Sequence, residues 1–167
     1  MALSGQRIQP DRFALIPRTL IFLLRGDQVL LMRLHESRGA WGGKYNGVGG
    51  HIEAGEDPLT AALRETAEET GLAPAALRLA GVIVVYPGSS PGIGLYVYVG
   101  EVAGGEAIAA QEGTPEWVSL DEIEEKPLVE DLLMILPRAV ACYNQKETFS
   151  AITTFDDDGF PIVHFTS

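Results

Sequence analysis

Residues 50–72, GHIEAGEDPLTAALRETAEETGL, decide how this chain is read. Asp57 is suited to cap a helix, and Pro58 to open it, because the first helical position needs no backbone donor. Gly71 closes the helix and Pro74 prevents its continuation. Leu59, Ala62, Leu63 and Thr66 share one face at helical spacing, the face expected to meet a core. Glu65, Glu68 and Glu69 crowd another, since residues three and four apart are neighbours, and Arg64 can reach Glu68. Like charges at this spacing repel by ~0.2–0.5 kcal/mol per pair. A hard divalent cation reverses that sign, because Mg²⁺ seeks carboxylate oxygens. The plain alternative is a solvated acidic face. Against it stands the run Gly47-Val48-Gly49-Gly50 just before, which permits close backbone approach, followed by a turn at Gly55-Glu56.

The rest of the chain bounds what such a site can serve. With 167 residues, 46% hydrophobic and 21% charged, it has ordinary globular composition and length for one sizeable core. A net charge of −11 argues against a nucleic acid polymer as partner, whose binding surfaces are basic. A small phosphate ester stays compatible, because a metal ion supplies positive charge locally. No apolar run reaches membrane-span length, and the start MALSGQRIQPD lacks a signal-peptide pattern. The single cysteine, Cys142, permits no internal disulfide and reads as a small buried side chain. A cytoplasmic location without membrane attachment is the expectation.

Taken in order, residues 1–16 read as an N-terminal arm and 17–167 as one α/β domain. Residues 19–25 and 28–34 are apolar runs joined by Gly26-Asp27, a hairpin covered on both faces. Residues 35–45 form a loop, with Arg33, Arg38 and Lys44 in or beside it as cations for substrate phosphates or as solvated surface. Trp41 is open to stacking on a base or to packing. Asn46-Gly47 is a tight-turn pair, and an Asn amide also suits a purine edge. Residues 79–86 and 95–102 read as strands, with Tyr96 and Tyr98 on one face and one of them expected to line a pocket. Glu112 is a loop acid. Residues 120–125 and 128–143 read as helices, and 149–155 with 161–165 as a closing hairpin around an Asp-rich turn whose spacing does not match a calcium loop.

Gly50, Glu56, Arg64, Glu65, Thr66, Glu68, Glu69, Gly71 and Leu72 together resemble the Nudix hydrolase signature, with Thr66 where an aliphatic residue is usual. The approach Tyr45-Asn46-Gly47-Val48-Gly49-Gly50 and the ending Lys146, Phe149, Phe155 and Gly159 are similar to the animal-type branch of the MutT-like enzymes. The resemblance implies a Nudix α/β/α sandwich with a mixed β-sheet between helices. It implies metal-dependent hydrolysis of a nucleotide diphosphate bond, foremost in an oxidised purine nucleoside triphosphate, giving the monophosphate and pyrophosphate. ADP-ribose is an alternative substrate, and a nucleotide-sensing module without turnover is the alternative of another class. By position, the Gly49 carbonyl, Glu65, Glu68, Glu69 and Glu112 hold Mg²⁺ or Mn²⁺, Glu65 or Glu112 acts as base, and Arg64 orients Glu68. Thr19, Asn46, Glu130 and Asp131 fall on substrate-contacting positions of that branch, and Arg33 is the candidate phosphate contact from strand two. Glu130-Asp131 has a second reading, as acids favoured by the first turn of a helix. Leu128 and Val129 depart from the family, standing where a base-stacking Trp and a purine-reading Asn are known. The expected partner is a small nucleotide, and a homodimer is left open.

Overall fold

The two apolar runs near the start form the hairpin that their turn signal predicts. In the computed structural model, which describes residue 5 and residues 8–166, β1 spans Leu15–Arg25 and β2 spans Gln28–Leu34. Gly26 makes the turn at φ 61°. Residues 1–4 and 6–7 of the expected arm lie outside the described residues. Ile21, Phe22 and Leu23 are all fully buried, as a strand covered on both faces requires.

The remaining strands are β3 (Tyr45–Asn46), β4 (Leu77–Val85), β5 (Gly92–Glu101), β6 (Gly113–Ser119), β7 (Phe149–Phe155) and β8 (Pro161–Thr166). The sheet runs β3-β2-β1-β5-β4-β7-β8, with β6 added along β2. It is mixed: β1 is parallel to β5 and β4 to β7, and the other pairs are antiparallel. Helix α1 (Pro58–Thr70) and helix α2 (Leu132–Gln145) cover opposite faces, each over its own apolar cluster. The α/β/α sandwich with a mixed sheet is therefore as expected. Cys142 is buried on the α2 side. No helix among the described residues is long and apolar enough to cross a membrane.

One irregularity positions everything that follows. β1 and β2 pair over only three residues, Leu23↔Leu30 to Arg25↔Gln28, and then diverge. The segment after β3 fills the gap. Ile21 and Val48 exchange backbone bonds at 2.6 and 3.1 Å, and Thr19 N–H donates to the Gly50 carbonyl at 2.8 Å. A side chain at Gly49 would run into the Thr19 carbonyl, and one at Gly47 would meet Leu20 at 2.6 Å. Gly49 is there because backbone lies on backbone, and Gly47 because the Leu20 and Phe22 side chains fill the space of a Cβ.

Helix α1 begins and ends where its signals say. Asp57 accepts from Leu59 N–H and Thr60 N–H, both at 3.0 Å, and Gly71 closes the helix at φ 71°. Its buried face overlaps the expected one at Ala62 and Thr66 and departs from it elsewhere. Leu59 and Leu63 are 40% and 42% exposed, while Ala61, Ala62, Thr66, Glu69 and Thr70 are buried. The helix is turned by roughly 45° from the face that apolar spacing selects. Small residues allow it to approach β1 closely, and the turn carries Glu69 inward. Thr66 suits this face because its hydroxyl donates to the Ala62 carbonyl at 2.7 Å.

Residues 120–125 are helical as expected, in the 3₁₀ form. The start of the next helix is corrected. Helix α2 starts at Leu132, because Tyr45 takes the backbone before it: Tyr45 N–H donates to the Pro127 carbonyl and Val129 N–H to the Tyr45 carbonyl, both at 2.9 Å. Glu130-Asp131 therefore precedes the helix instead of occupying its first turn. Asp131 stands at the cap position but its side chain makes no cap bond, which leaves it for other use.

Candidate active site

The inward turn of α1 sets Glu69 against the glycine segment. It is 7% exposed, and its carboxylate accepts from the Gly49 N–H at 3.1 Å. Glu112, in the bend before β6, meets it from the other side. Burial raises the Glu69 pKa to about 8, with Glu112 and then Glu65 adding to the rise and the Gly49 N–H opposing it. One backbone donor does not satisfy two carboxylates in contact, so this corner of the fold is short of positive charge.

Arg64 organises the acids beside it. It grips Glu56 with two bonds, at 2.7 and 2.9 Å, and reaches Glu65 at 2.9 Å and the His51 carbonyl at 3.1 Å. Its contact with Glu68 is the longest, at 3.3 Å, and the Glu68 side chain is 61% exposed. The Arg64–Glu68 contact expected from the sequence is present, but the sequence reading gives no partner to Glu56, which takes two of the bonds. The missed signal was Glu56's position in the signature without a role. Arg64 holds the Glu56 carboxyl down to about 2. Gly50 is required by Glu65: an added Cβ would stand 2.5 Å from the Glu65 carboxyl carbon.

Among the described residues, no three His, Cys, Asp or Glu side chains converge into a ready-made metal cage. The donor chemistry nevertheless fits a hard cation. Glu69 and Glu112 are adjacent oxygen donors without a cationic neighbour closer than Arg38, 3.8 Å from Glu112. Glu65 lies one helical turn from Glu69.

A cavity of about 480 Å³ opens from this corner. Thr19, Gly49, Glu69 and Glu112 line it, and so do Asn46, Glu130 and Asp131. Asn46 pairs with Met32 on β2, so both face the cavity. Glu130 is ion-paired to Lys44, which holds its carboxyl low. Burial pushes the Asp131 carboxyl upward, and Glu130 adds to the shift. Arg33 is not brought in: it alternates with the cavity-lining Met32 and Leu34 and points to the other side of β2. Neither Tyr96 nor Tyr98 lines the cavity; both pack toward α1. Phe155 and Phe160 reach it from the C-terminal hairpin, and Ile93 and Leu95 from β5. These apolar walls carried no sequence signal, because they come from strands far apart in the chain.

The fold and this signature helix define a class. The family model for the NUDIX domain matches residues 14–139, and the chain belongs to the Nudix hydrolase family. Two relatives are both described as oxidized purine nucleoside triphosphate hydrolase. The one from Mus musculus is 32% identical over 106 residues, 63% of this chain and 67% of the relative. The one from Danio rerio is 28% identical over 147 residues, 87% of this chain and 90% of the relative. Among solved structures, a MutT protein from Bacillus halodurans superposes with a TM-score of 0.75 at 23% identity, covering 90% of this chain and 97% of that one.

Proposed function

We propose that this chain hydrolyses purine nucleoside triphosphates, oxidised purines included, to the monophosphate and pyrophosphate with Mg²⁺ or Mn²⁺. One observation carries the reading: the crowded pair Glu69–Glu112 and the polar set Asn46, Glu130 and Asp131 line a single cavity. Phosphate chemistry and base recognition then fall within one ligand's reach. The activity in the names of the two relatives supports the same substrate class.

Glu65, Glu68, Glu69, Glu112 and the Gly49 carbonyl would hold the ions. When bound, such ions offset charge on the phosphate oxygens and lower the pKa of water. The residues do the rest. Arg64 fixes Glu65 through two-sided contact with Glu56 and the His51 carbonyl, so the acid is presented at one geometry. Glu112 faces the cavity, whereas the Glu65 carboxylate is occupied by Arg64, so Glu112 is the better placed to take the proton of the attacking water. Asn46, its Oδ1 held by the Gly47 N–H at 2.8 Å, offers its amide donors to the purine edge, and Asp131 offers a carboxyl whose pKa burial raises. Thr19, whose hydroxyl lies 3.4 Å from the Gly50 N–H, lines the same cavity next to the glycine segment.

The test is a hydrolysis panel with Mg²⁺ or Mn²⁺ over 8-oxo-dGTP, 2-oxo-dATP, ordinary dNTPs and ADP-ribose, with product identification. The expected products are monophosphate and pyrophosphate, with triphosphates hydrolysed faster than ADP-ribose. Preferred turnover of ADP-ribose would replace the substrate reading. Nucleotide binding without metal-dependent turnover would replace the enzyme with a sensor. Glu68→Gln should keep the fold and lose at least tenfold in rate, about 1.4 kcal/mol or more of transition-state stabilisation.

A further inference from the structure

Trp41 remains 40% exposed although burying an indole is favourable. Its place is set by the backbone around it. Two 3₁₀ turns spanning Glu36–Trp41 are kinked at Gly39, and the segment is closed by Gly43 N–H to the Leu34 carbonyl and Lys44 N–H to the Trp41 carbonyl, both at 3.0 Å. A side chain at Gly42 would meet the Glu36 carbonyl at 2.6 Å, and Gly43 needs φ 74°. The loop is thus clamped between Glu36 and β2, with the indole on the wall of the cavity that also holds Asn46, Glu130 and Asp131. Glu130, paired with Lys44, lines the same wall, so Trp41 stands beside the groups that meet a base. Leu128, by contrast, is not on the cavity wall and packs into the α2-side core.

A purine has a polar edge and two flat faces. Asn46 and Asp131 serve the edge, and an edge contact alone leaves the faces in water. We infer that Trp41 is the stacking surface for the substrate base, placed so that the ring lies on the indole while its edge meets Asn46, Asp131 and Glu130. This rests on the nucleotide reading above. Stacking is tolerant of base identity, because every base presents a π-face. Trp41 therefore sets affinity for all purines alike, and the edge groups choose among them.

The chain has two tryptophans, which makes the test clean. Trp117 lies off the cavity, with the Arg25 guanidinium 4.0 Å over its ring. In a Trp117→Phe background without divalent metal, dGMP, dAMP and 8-oxo-dGMP should each quench the remaining tryptophan fluorescence, and ribose 5-phosphate should not. By calorimetry, Trp41→Ala should weaken all three nucleotides by a similar factor, roughly ten- to a hundredfold, while Trp41→Phe stays within about threefold of the parent. Asn46→Ala should instead change their ratio. Unaltered affinity in Trp41→Ala, or equal quenching by ribose 5-phosphate, overturns the stacking role and leaves the nucleotide reading intact. A parent protein that binds none of the three nucleotides overturns both.

Discussion

Glu69→Gln separates what the buried carboxylate costs from what it is for. In the metal-free protein its pKa rises from 4.5 to about 8, through burial first and the Glu112 and Glu65 charges after it. The folded chain therefore keeps a proton that the unfolded chain releases. The stability linked to that proton is fully present below pH 4.5 and is lost as pH rises through about 8. Each pH unit is about 1.4 kcal/mol, so the unscreened loss reaches about 5 kcal/mol. Relaxation and water entry bring effective dielectrics in proteins nearer ~20 than ~4, which leaves about 2–3 kcal/mol. Glutamine reproduces the protonated acid: its oxygen accepts from the Gly49 N–H, now 3.1 Å away, and its amide donates to Glu112. In EDTA at pH 8 the variant should melt about 5–10 °C above the parent, at ~2–4 °C per kcal/mol for a chain of this size. The two curves should converge near pH 4.5, the ordinary value. Added Mg²⁺ should raise the parent's Tm more than the variant's, and turnover of the variant should be lost. Melting profiles that run parallel from pH 4.5 to 8 would refute the buried-carboxylate argument. Equal stabilisation by Mg²⁺ would remove Glu69 from the ligand set.

Three other substitutions test the surrounding geometry. Gly50→Ala forces Glu65 off its contact with Arg64, since the new Cβ would sit 2.5 Å from the carboxyl carbon, so kcat should fall about tenfold or more with KM little changed. Arg64→Lys cannot bridge Glu56 and Glu65 together, because an ammonium has no planar fork; kcat should drop by roughly a hundredfold, and adding Glu56→Gln should cost little more. Arg33→Ala should leave kcat/KM within about twofold of the parent, because its side chain points away from the cavity, and a loss beyond tenfold would contradict the alternation of β2.

What the sequence made legible was whatever is decided within a few residues. The caps Asp57 and Gly71 are local chemistry, and both stand where expected. The continuous apolar runs of β1 and β2, parted by Gly26-Asp27, suit strands buried on both faces, and residues 20–24 and 29–32 are so buried. The facing of α1 was not legible. Of the expected face, Ala62 and Thr66 are buried, but Leu59 and Leu63 are not: the sheet accepts the small residue Ala61 and draws Glu69 inside, a choice made by the partner surface. The start of α2 was hidden for the same reason. The apolar pattern from 128 onward is helical, yet Tyr45, more than eighty residues earlier, takes the backbone bonds of residues 127–129. Arg33 was misplaced because charge composition says nothing of which face of a strand is wet.

The divergence of β1 from β2 explains why the glycines and the acids form one motif. Once the strands part, the upper half of β1 has donors at Thr19 and Ile21 with no neighbour, and residues 48–50 satisfy them. Gly49 can carry no side chain there, because the Thr19 carbonyl occupies the space of its Cβ. The inserted segment then has its own free donor, the Gly49 N–H, directed to the α1 side, and Glu69 is the residue that meets it. Glu65, one helical turn earlier, lies against Gly50 by the same geometry. The carboxylates are thus placed by the gap in the sheet and not by the helix alone. A substitution that disturbs the segment filling the gap, such as Gly49→Ala, should abolish turnover with every acid intact, and metal titration should show weakened Mg²⁺ stabilisation in the same variant. If that variant instead kept its metal-dependent rise in Tm, the helix would be sufficient to build the site, and the strand divergence would not be what places the acids.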